Sequence, residues 1–326
     1  MNRDNAMLLT EAVLASGEQL QCGQVAVAHE GAFKAAFLSE GLTGYAVGYP
    51  GTADLEAELE TLAPRVSVPD LFQYRVADSV DAFLTETDDS DVRAMGAEFK
   101  ALRVTGSTVT AALKHKGLTK RIDVRQIDAD PLIKEKAVAS LKERLLRAEI
   151  YRAANMLWAA ATPQTAAWAT GDGDSDPDMD VLAAIDGRLT ASGVLPNRAV
   201  YAPGAWMKRV RGLRGRIDAG GFANAGFTLQ QVADFLGLDR VLNSRAIRSV
   251  NAGGTKAALV GANRVYLFNA QAGGGTEDPS NIKRFAKDTW QVFENPVSAV
   301  TVDITVSHYS LISITSTLGI ALLDVA

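Results

Sequence analysis

Three short patterns carry residue types that bind metals or phosphates elsewhere, and each fails on spacing. Asp172, Asp174 and Asp176 alternate as the ligands of a calcium loop do. Position six, however, is Pro177 where the turn needs glycine, and position twelve is Ala183 where a bidentate glutamate is needed. The stretch therefore reads as a solvated linker. GGTK, from Gly253 to Lys256, lacks the Gly-Lys-Ser/Thr ending of a phosphate loop and reads as a hairpin turn. His29, His115 and His308 are scattered, with no helical pair to present two imidazoles to a metal. Serine occurs in no G-x-S-x-G elbow, and Cys22 lies in a glycine-rich N-terminal stretch, poor support for a nucleophile. The sequence offers no carrier for catalysis, no metal site and no cofactor motif, so a non-enzymatic role is expected.

Charge is the chemistry that remains. An acidic group, Glu86, Asp88, Asp89 and Asp91, faces two basic runs elsewhere in the chain. One is Lys208, Arg209, Arg211, Arg214 and Arg216; the other is Lys114, Lys116, Lys120, Arg121 and Arg125. Complementary charge of this kind sets register between copies of one chain, with the acidic group of one subunit docking on a basic strip of its neighbour. The bland reading is that all three are solvated faces. Trp158, Trp168, Trp206 and Trp290 are candidate interface anchors, with a core role the plainer reading for Trp158 and Trp206 on helices.

The elements that must position these residues follow from periodicity. Phe72, Tyr74 and Val76, then Val80, Ala82 and Leu84, alternate at period two, and alternation resumes at Leu102, Val104, Val109, Ala111 and Leu113. The acidic group sits between the halves, which makes a long hairpin arm with few large apolar residues at its far end. Two-stranded ribbons are marginal alone in water, so such an arm needs a partner. Asp130 as N-cap and Pro131 in the first turn open a helix from Leu132 to about Ala160, free of Gly and Pro and roughly 40 Å long. Val138, Leu141, Leu145 and Ala148 form one apolar stripe; Leu146, Ile150, Ala153 and Leu157 form another beside it.

Beyond Pro163 the pattern alternates short helices and strands: helices at 179–190, 204–211 and 229–236, the last capped by Thr228, and strands at 198–201, 240–242, 257–260 and 264–268. Strands at 290–294, 299–306 and 310–315 then return to a sheet beside the long helix. With 326 residues, 47% hydrophobic and 22% charged, the chain can fill a large core or two intertwined lobes. A net charge of −5, from 33 Lys+Arg and 38 Asp+Glu, argues against tight nucleic-acid binding. The single cysteine fits a reducing compartment, and no window suits a signal peptide or membrane span.

This order, with textures such as DPLIKEKAVASLKERLLRAEIYRAANML and VLPNRAVYAPGAWMKRV, resembles the capsid protein of the Hong Kong 97 phage and its relatives among tailed-phage major capsid proteins. The resemblance implies an α+β fold with an N-terminal arm (1–48) and an extended loop (72–120). It implies a peripheral domain (49–71, 121–165 and 286–326) with a spine helix at 132–160, and an axial domain (166–285). It also implies self-assembly into pentamers and hexamers of an icosahedral virion shell, built in the host cytoplasm around DNA held without sequence-specific binding. Scaffolding, portal and decoration proteins would be partners, and a membrane would not. The rival within the fold is an encapsulin-like nanocompartment; outside it, an α/β enzyme using carboxylates at 172–180.

Overall fold

The computed structural model describes residues 37–76, 92–93, 95–96, 98, 107–168, 176–216, 223–250, 254–287 and 290–326. Helices α1 (Glu40–Gly48) and α2 (Ala53–Leu62) lead to a short strand β1 (Arg65–Ser67) and then to the hairpin strands β2 (Leu71–Val76) and β3 (Ser107–Ala112). Strand β4 (Lys114–Asp123) runs through helix α3 (Val124–Ala129) into α4 (Ile133–Ala160), the longest element. Next come β5 (Gln164–Ala166), α5 (Pro177–Ser192), β6 (Arg198–Tyr201), α6 (Pro203–Gly215) and α7 (Leu229–Leu236). β7 (Arg240–Asn243), β8 (Ile247–Ser249), β9 (Lys256–Ala258) and β10 (Arg264–Phe268) follow. The chain ends in β11 (Ile282–Ala286), β12 (Gln291–Ser298), β13 (Thr301–Ile314) and β14 (Ala321–Val325).

Two mixed sheets share α4. In the first, β13 pairs antiparallel with β4, β11 and β12, and β1 adds parallel to β11. The second has the order β5-β14-β10-β6-β7. The two apolar stripes of α4 serve different cores. Val138, Leu141 and Leu145 pack with Ile122, Val292, Ile304 and Val306 of the first sheet. Leu146, Ile150, Ala153 and Leu157 pack with Leu59 and Leu62 of α2 and with Val200, Tyr266, Phe268 and Leu322 of the second sheet. The far face of that second sheet is closed by α5, α6 and α7 through Val181, Ile185, Ala205, Val232 and Leu236. Its central strands are thus covered on both sides, which is why β6 and β10 read as continuous apolar runs.

Thr228 and Gln231 form a capping box at the start of α7, where the sequence places it: the Thr228 hydroxyl accepts from the Gln231 amide at 3.3 Å and Gln231 Oε1 accepts from the Thr228 amide at 2.8 Å. Asp130 behaves differently from expectation. It ends α3, and α4 begins at Ile133 without a side-chain cap; Asp130 Oδ1 accepts from the Leu132 amide at 3.1 Å while Oδ2 takes Lys136 at 2.6 Å. The carboxylate still lies near the positive end of the helix, so sequence logic finds the charge and misplaces the cap.

Sheet membership corrects the expected division in two places. The extended loop was expected to reach Lys120, but the hairpin ladder closes with Leu113 donating to Asp70 O at 2.9 Å, and Lys114–Asp123 pairs along β13 from Lys114↔Ser310 to Asp123↔Thr301. Ile122 is buried and Lys116 partly buried on that strand. The C-terminal strand β14 was expected beside the other late strands, yet it lies in the second sheet between β5 and β10, where its Ala-Leu-Leu run is fully buried.

Candidate assembly surfaces

The hairpin root is the first candidate surface. β2 and β3 pair through Phe72↔Ala111 and Tyr74↔Val109. Phe72 and Tyr74 pack on Phe285 of β11, with ring centroids 4.6 and 5.0 Å away, and the Tyr74 hydroxyl lies 2.8 Å from Ser313 Oγ. The Arg75 amide donates to Thr276 O at 3.3 Å, tying the hairpin to the loop between β10 and β11. That loop is itself built: Lys283, buried, donates to Gly275 O at 3.0 Å and Asp278 O at 2.7 Å. The Gly273–Gly275 stretch is therefore anchored beside the hairpin root. Glu86, Asp88, Asp89 and Asp91 lie outside the described residues, as do Cys22, His29, Asp172 and Asp174.

The basic run on α6 separates into different roles. Arg211 and Arg214 are exposed. Lys208 donates to Val325 O at 2.8 Å, and Arg216 pairs with Asp176. Arg209 is a correction to the docking strip. It is fully buried, its Nε and Nη2 donating to the two Asp178 oxygens at 2.6 and 2.8 Å, with Trp206 beneath its guanidinium. The amphipathic turn of α6 carries it inward, because positions 205, 209, 212 and 213 share the buried face. The acidic residues expected in a linker are likewise committed: Asp176 caps α5, Asp178 holds Arg209, and Asp180 accepts from Trp168 Nε1 at 2.9 Å.

On β4, Lys120 and Arg121 are exposed, and Arg121 makes a two-pronged bond to Asp303 at 2.8 and 2.9 Å across to β13. Lys116 is a second correction. It turns under the sheet and donates to Glu149 of α4 at 2.8 Å and to Ser310 at 3.0 Å, so it is unavailable to a neighbour. Arg152 also reaches Glu149, at 2.5 Å, and His308 Nε2 stands 3.7 Å away. Burial pushes the Glu149 carboxyl up, but His308 and Lys116 outweigh it and hold it down to about 2. A carboxylate so held is a fixed anion joining helix to sheet, not a proton donor or acceptor near neutrality.

Beside this cluster a cleft of about 500 Å³ opens between α2, α4 and the first sheet, lined by Glu56, Glu60, Arg65, Arg284, Trp290 and His308. Its charges are largely paired internally, as Glu60 with Arg284 at 3.1 Å. Among the described residues, no group of three or more His, Cys, Asp or Glu side chains is placed to hold a metal, and no helix is long and apolar enough to cross a membrane. His308 lies on β13, buried against Trp290, with ring centroids 4.5 Å apart.

No family model matches the chain, and no curated protein matches it. Solved structures do. A phage-related protein from Bordetella bronchiseptica RB50 superposes with a TM-score of 0.63 at 16% identity, covering 88% of this chain and 96% of that one. The capsid of the native GTA particle gives a TM-score of 0.50 at 16% identity, covering 83% of this chain and 90% of that one. A virus-like particle from Pyrococcus furiosus aligns over 87% of this chain and 98% of its own, with a TM-score of 0.49 and 11% identity. The chain has the mixed α+β fold of phage capsid proteins.

Proposed function

We propose that this chain is the major capsid protein of a tailed phage. It assembles into pentamers and hexamers that tile an icosahedral shell around double-stranded DNA, and its role is structural rather than catalytic. One observation carries the reading: a capsid-type fold from which a hairpin rises on a root packed by Phe72, Tyr74 and Phe285, beside a 28-residue helix. In the terms of the Hong Kong 97 fold, α4 is the spine helix, the first sheet is peripheral and the second axial. Scaffolding, portal and decoration proteins complete the virion, which assembles in the host cytoplasm.

The acidic group at 86–91 then docks on a neighbour through basic residues that stay exposed, among them Lys120, Arg211 and Arg214, since Lys116 and Arg209 are consumed inside the subunit. Size-exclusion chromatography and negative-stain microscopy of the purified chain test the main reading. Shells, rings or tubes support it; a stable monomer or dimer overturns it. Charge reversal at Asp88 and Asp89 should weaken assembly at moderate salt without lowering the subunit's melting temperature, whereas normal shells at every salt concentration would refute the docking.

A further inference from the structure

The chain as a whole is acidic, yet between Arg240 and Thr276 it carries Arg240, Arg245, Arg248, Lys256 and Arg264 and not one Asp or Glu. The fold sets part of this stretch against the C-terminal half of α4. The Arg248 guanidinium lies 4.2 Å over the Tyr151 ring, and the Arg264 guanidinium 4.1 Å over the Trp158 ring. Tyr151 and Trp158 are seven residues apart, two helical turns on one face, so the stacked arginines sit about 10 Å apart along the helix. Arg264 is held from its other side by Gly261, at φ +88, where a Cβ would come 2.6 Å from Arg264 Cδ.

Arg245 precedes the β8–β9 hairpin and Lys256 opens its second strand, both exposed. Among the described residues none of Arg245, Arg248, Lys256 and Arg264 pairs with a carboxylate. Arg248 Nε is buried without a hydrogen-bond partner among the described residues. Guanidinium planes fixed on aromatic rings keep their donor edges in a set orientation, the geometry that suits phosphate oxygens.

We propose that this face of α4 and the β8–β9 hairpin is a binding surface for the phosphate backbone of double-stranded DNA, turned toward the interior of the shell. The proposal rests on the capsid reading for its partner. Binding is weak and independent of sequence, because the residues offer charge and stacking but no base-reading element. Asp324 stands opposite Arg264 on β14 and the rest of the subunit is acidic, so the attraction is weak and enclosed DNA is touched without being gripped.

The test uses unassembled subunits and a fluorescent duplex of about 30 base pairs, titrated by anisotropy across a salt series. The wild type should bind with a dissociation constant of about 10⁻⁴–10⁻⁶ M, and the slope of log affinity against log salt should shrink by about 0.9 for each phosphate contact removed. Arg245→Ser with Lys256→Ser removes only exposed charge and keeps the fold. Adding Arg248→Gln and Arg264→Gln should abolish binding, with circular dichroism confirming that the subunit is folded. A wild type that ignores DNA, a salt slope that does not change in the variants, or tighter binding to polyglutamate than to DNA would each overturn the proposal. Shell formation is scored separately by negative stain, so the variants building normal shells leaves the capsid reading standing whichever way the DNA assay falls.

Discussion

Replacing Arg209 by methionine separates a residue of the subunit core from one of a subunit contact. In sequence Arg209 belongs to an exposed-looking basic run, but its side chain is 0% exposed and its partner Asp178 is 2% exposed. The methionine fills much of the space over Trp206 and leaves the Asp178 carboxylate buried without its two charge-assisted bonds. Breaking a buried pair from one side costs about 3–5 kcal/mol, because the surviving charge has lost both water and partner. A domain has about 5–15 kcal/mol in all. At about 2–4 °C per kcal/mol for chains of this order, the melting temperature should fall by roughly 6–20 °C. Asp178→Leu with Arg209→Met removes both charges and should recover most of that loss, and the double-mutant cycle isolates the coupling. Differential scanning calorimetry of unassembled subunits reads both. If Arg209→Met melts within about 1 kcal/mol of wild type yet fails to assemble, Arg209 is a subunit contact and the buried-pair argument is wrong.

The Glu149 carboxyl, held at about 2 against an ordinary 4.5, makes stability fall in acid. A depressed folded-state value stabilises above the unfolded value, so the contribution is whole above about pH 4.5 and is lost as pH falls through about 2, a difference worth about 3 kcal/mol. Urea unfolding of Glu149→Gln should therefore lose less stability than wild type between pH 7 and acid; identical pH slopes would show that Glu149 is not the titrating group. Gly204→Ala should destabilise by about 1–3 kcal/mol in thermal melts. A Cβ there would strike Asn263 Oδ1 and stand 2.5 Å from the Ala262 carbonyl, which is backbone and cannot rotate away; an unchanged melting temperature would mean that the loop at 262–263 yields freely. Thr228→Ala removes one side of the capping box and should cost about 1 kcal/mol, recovered by Thr228→Ser but not by Thr228→Val.

Local signals made much of the fold legible. Strands Arg198–Tyr201 and Arg264–Phe268 and helix Leu229–Leu236 stand where pattern puts them, since each is bounded by Pro, Gly or a cap, the strands carry short apolar runs, and the helix places Leu229, Val232, Ala233 and Leu236 at helical spacing. Long-range partners were not legible. Ser307–Tyr309 interrupts the apolar alternation, so two strands were expected where β13 runs unbroken from Thr301 to Ile314; His308 and Ser310 face α4 and are satisfied or covered there, which only the tertiary contact reveals. The charged runs failed for the same reason. Nothing within Lys208–Arg216 says that Asp178, thirty-one positions earlier, will meet Arg209, or that Lys116 will turn under a sheet to reach Glu149. The stacked arginines were missed because neither Arg248 nor Arg264 sits in a dense basic run; the signal was the missing acid from 240 to 276.

The place of Glu149 on α4 explains why an ionic cluster is kept in so central a position. Leu145 belongs to the core under the first sheet and Leu146 to the core under the second, so the helix changes partners within one step. Glu149 lies one turn on, where Lys116 from β4 and Ser310 from β13 converge on it. An apolar core tolerates sliding by a turn, because one leucine can replace another in the same hollow. A buried carboxylate does not, because leaving its two donors strands three polar groups at once. Buried ion pairs contribute little net stability over apolar packing, and their best-attested use is register. Fixing α4 against the first sheet at Glu149 fixes the second sheet too, since both rest on the same helix. The hairpin root on β11 and the arginines stacked on Tyr151 and Trp158 thereby keep a constant mutual orientation, which the proposed assembly would require.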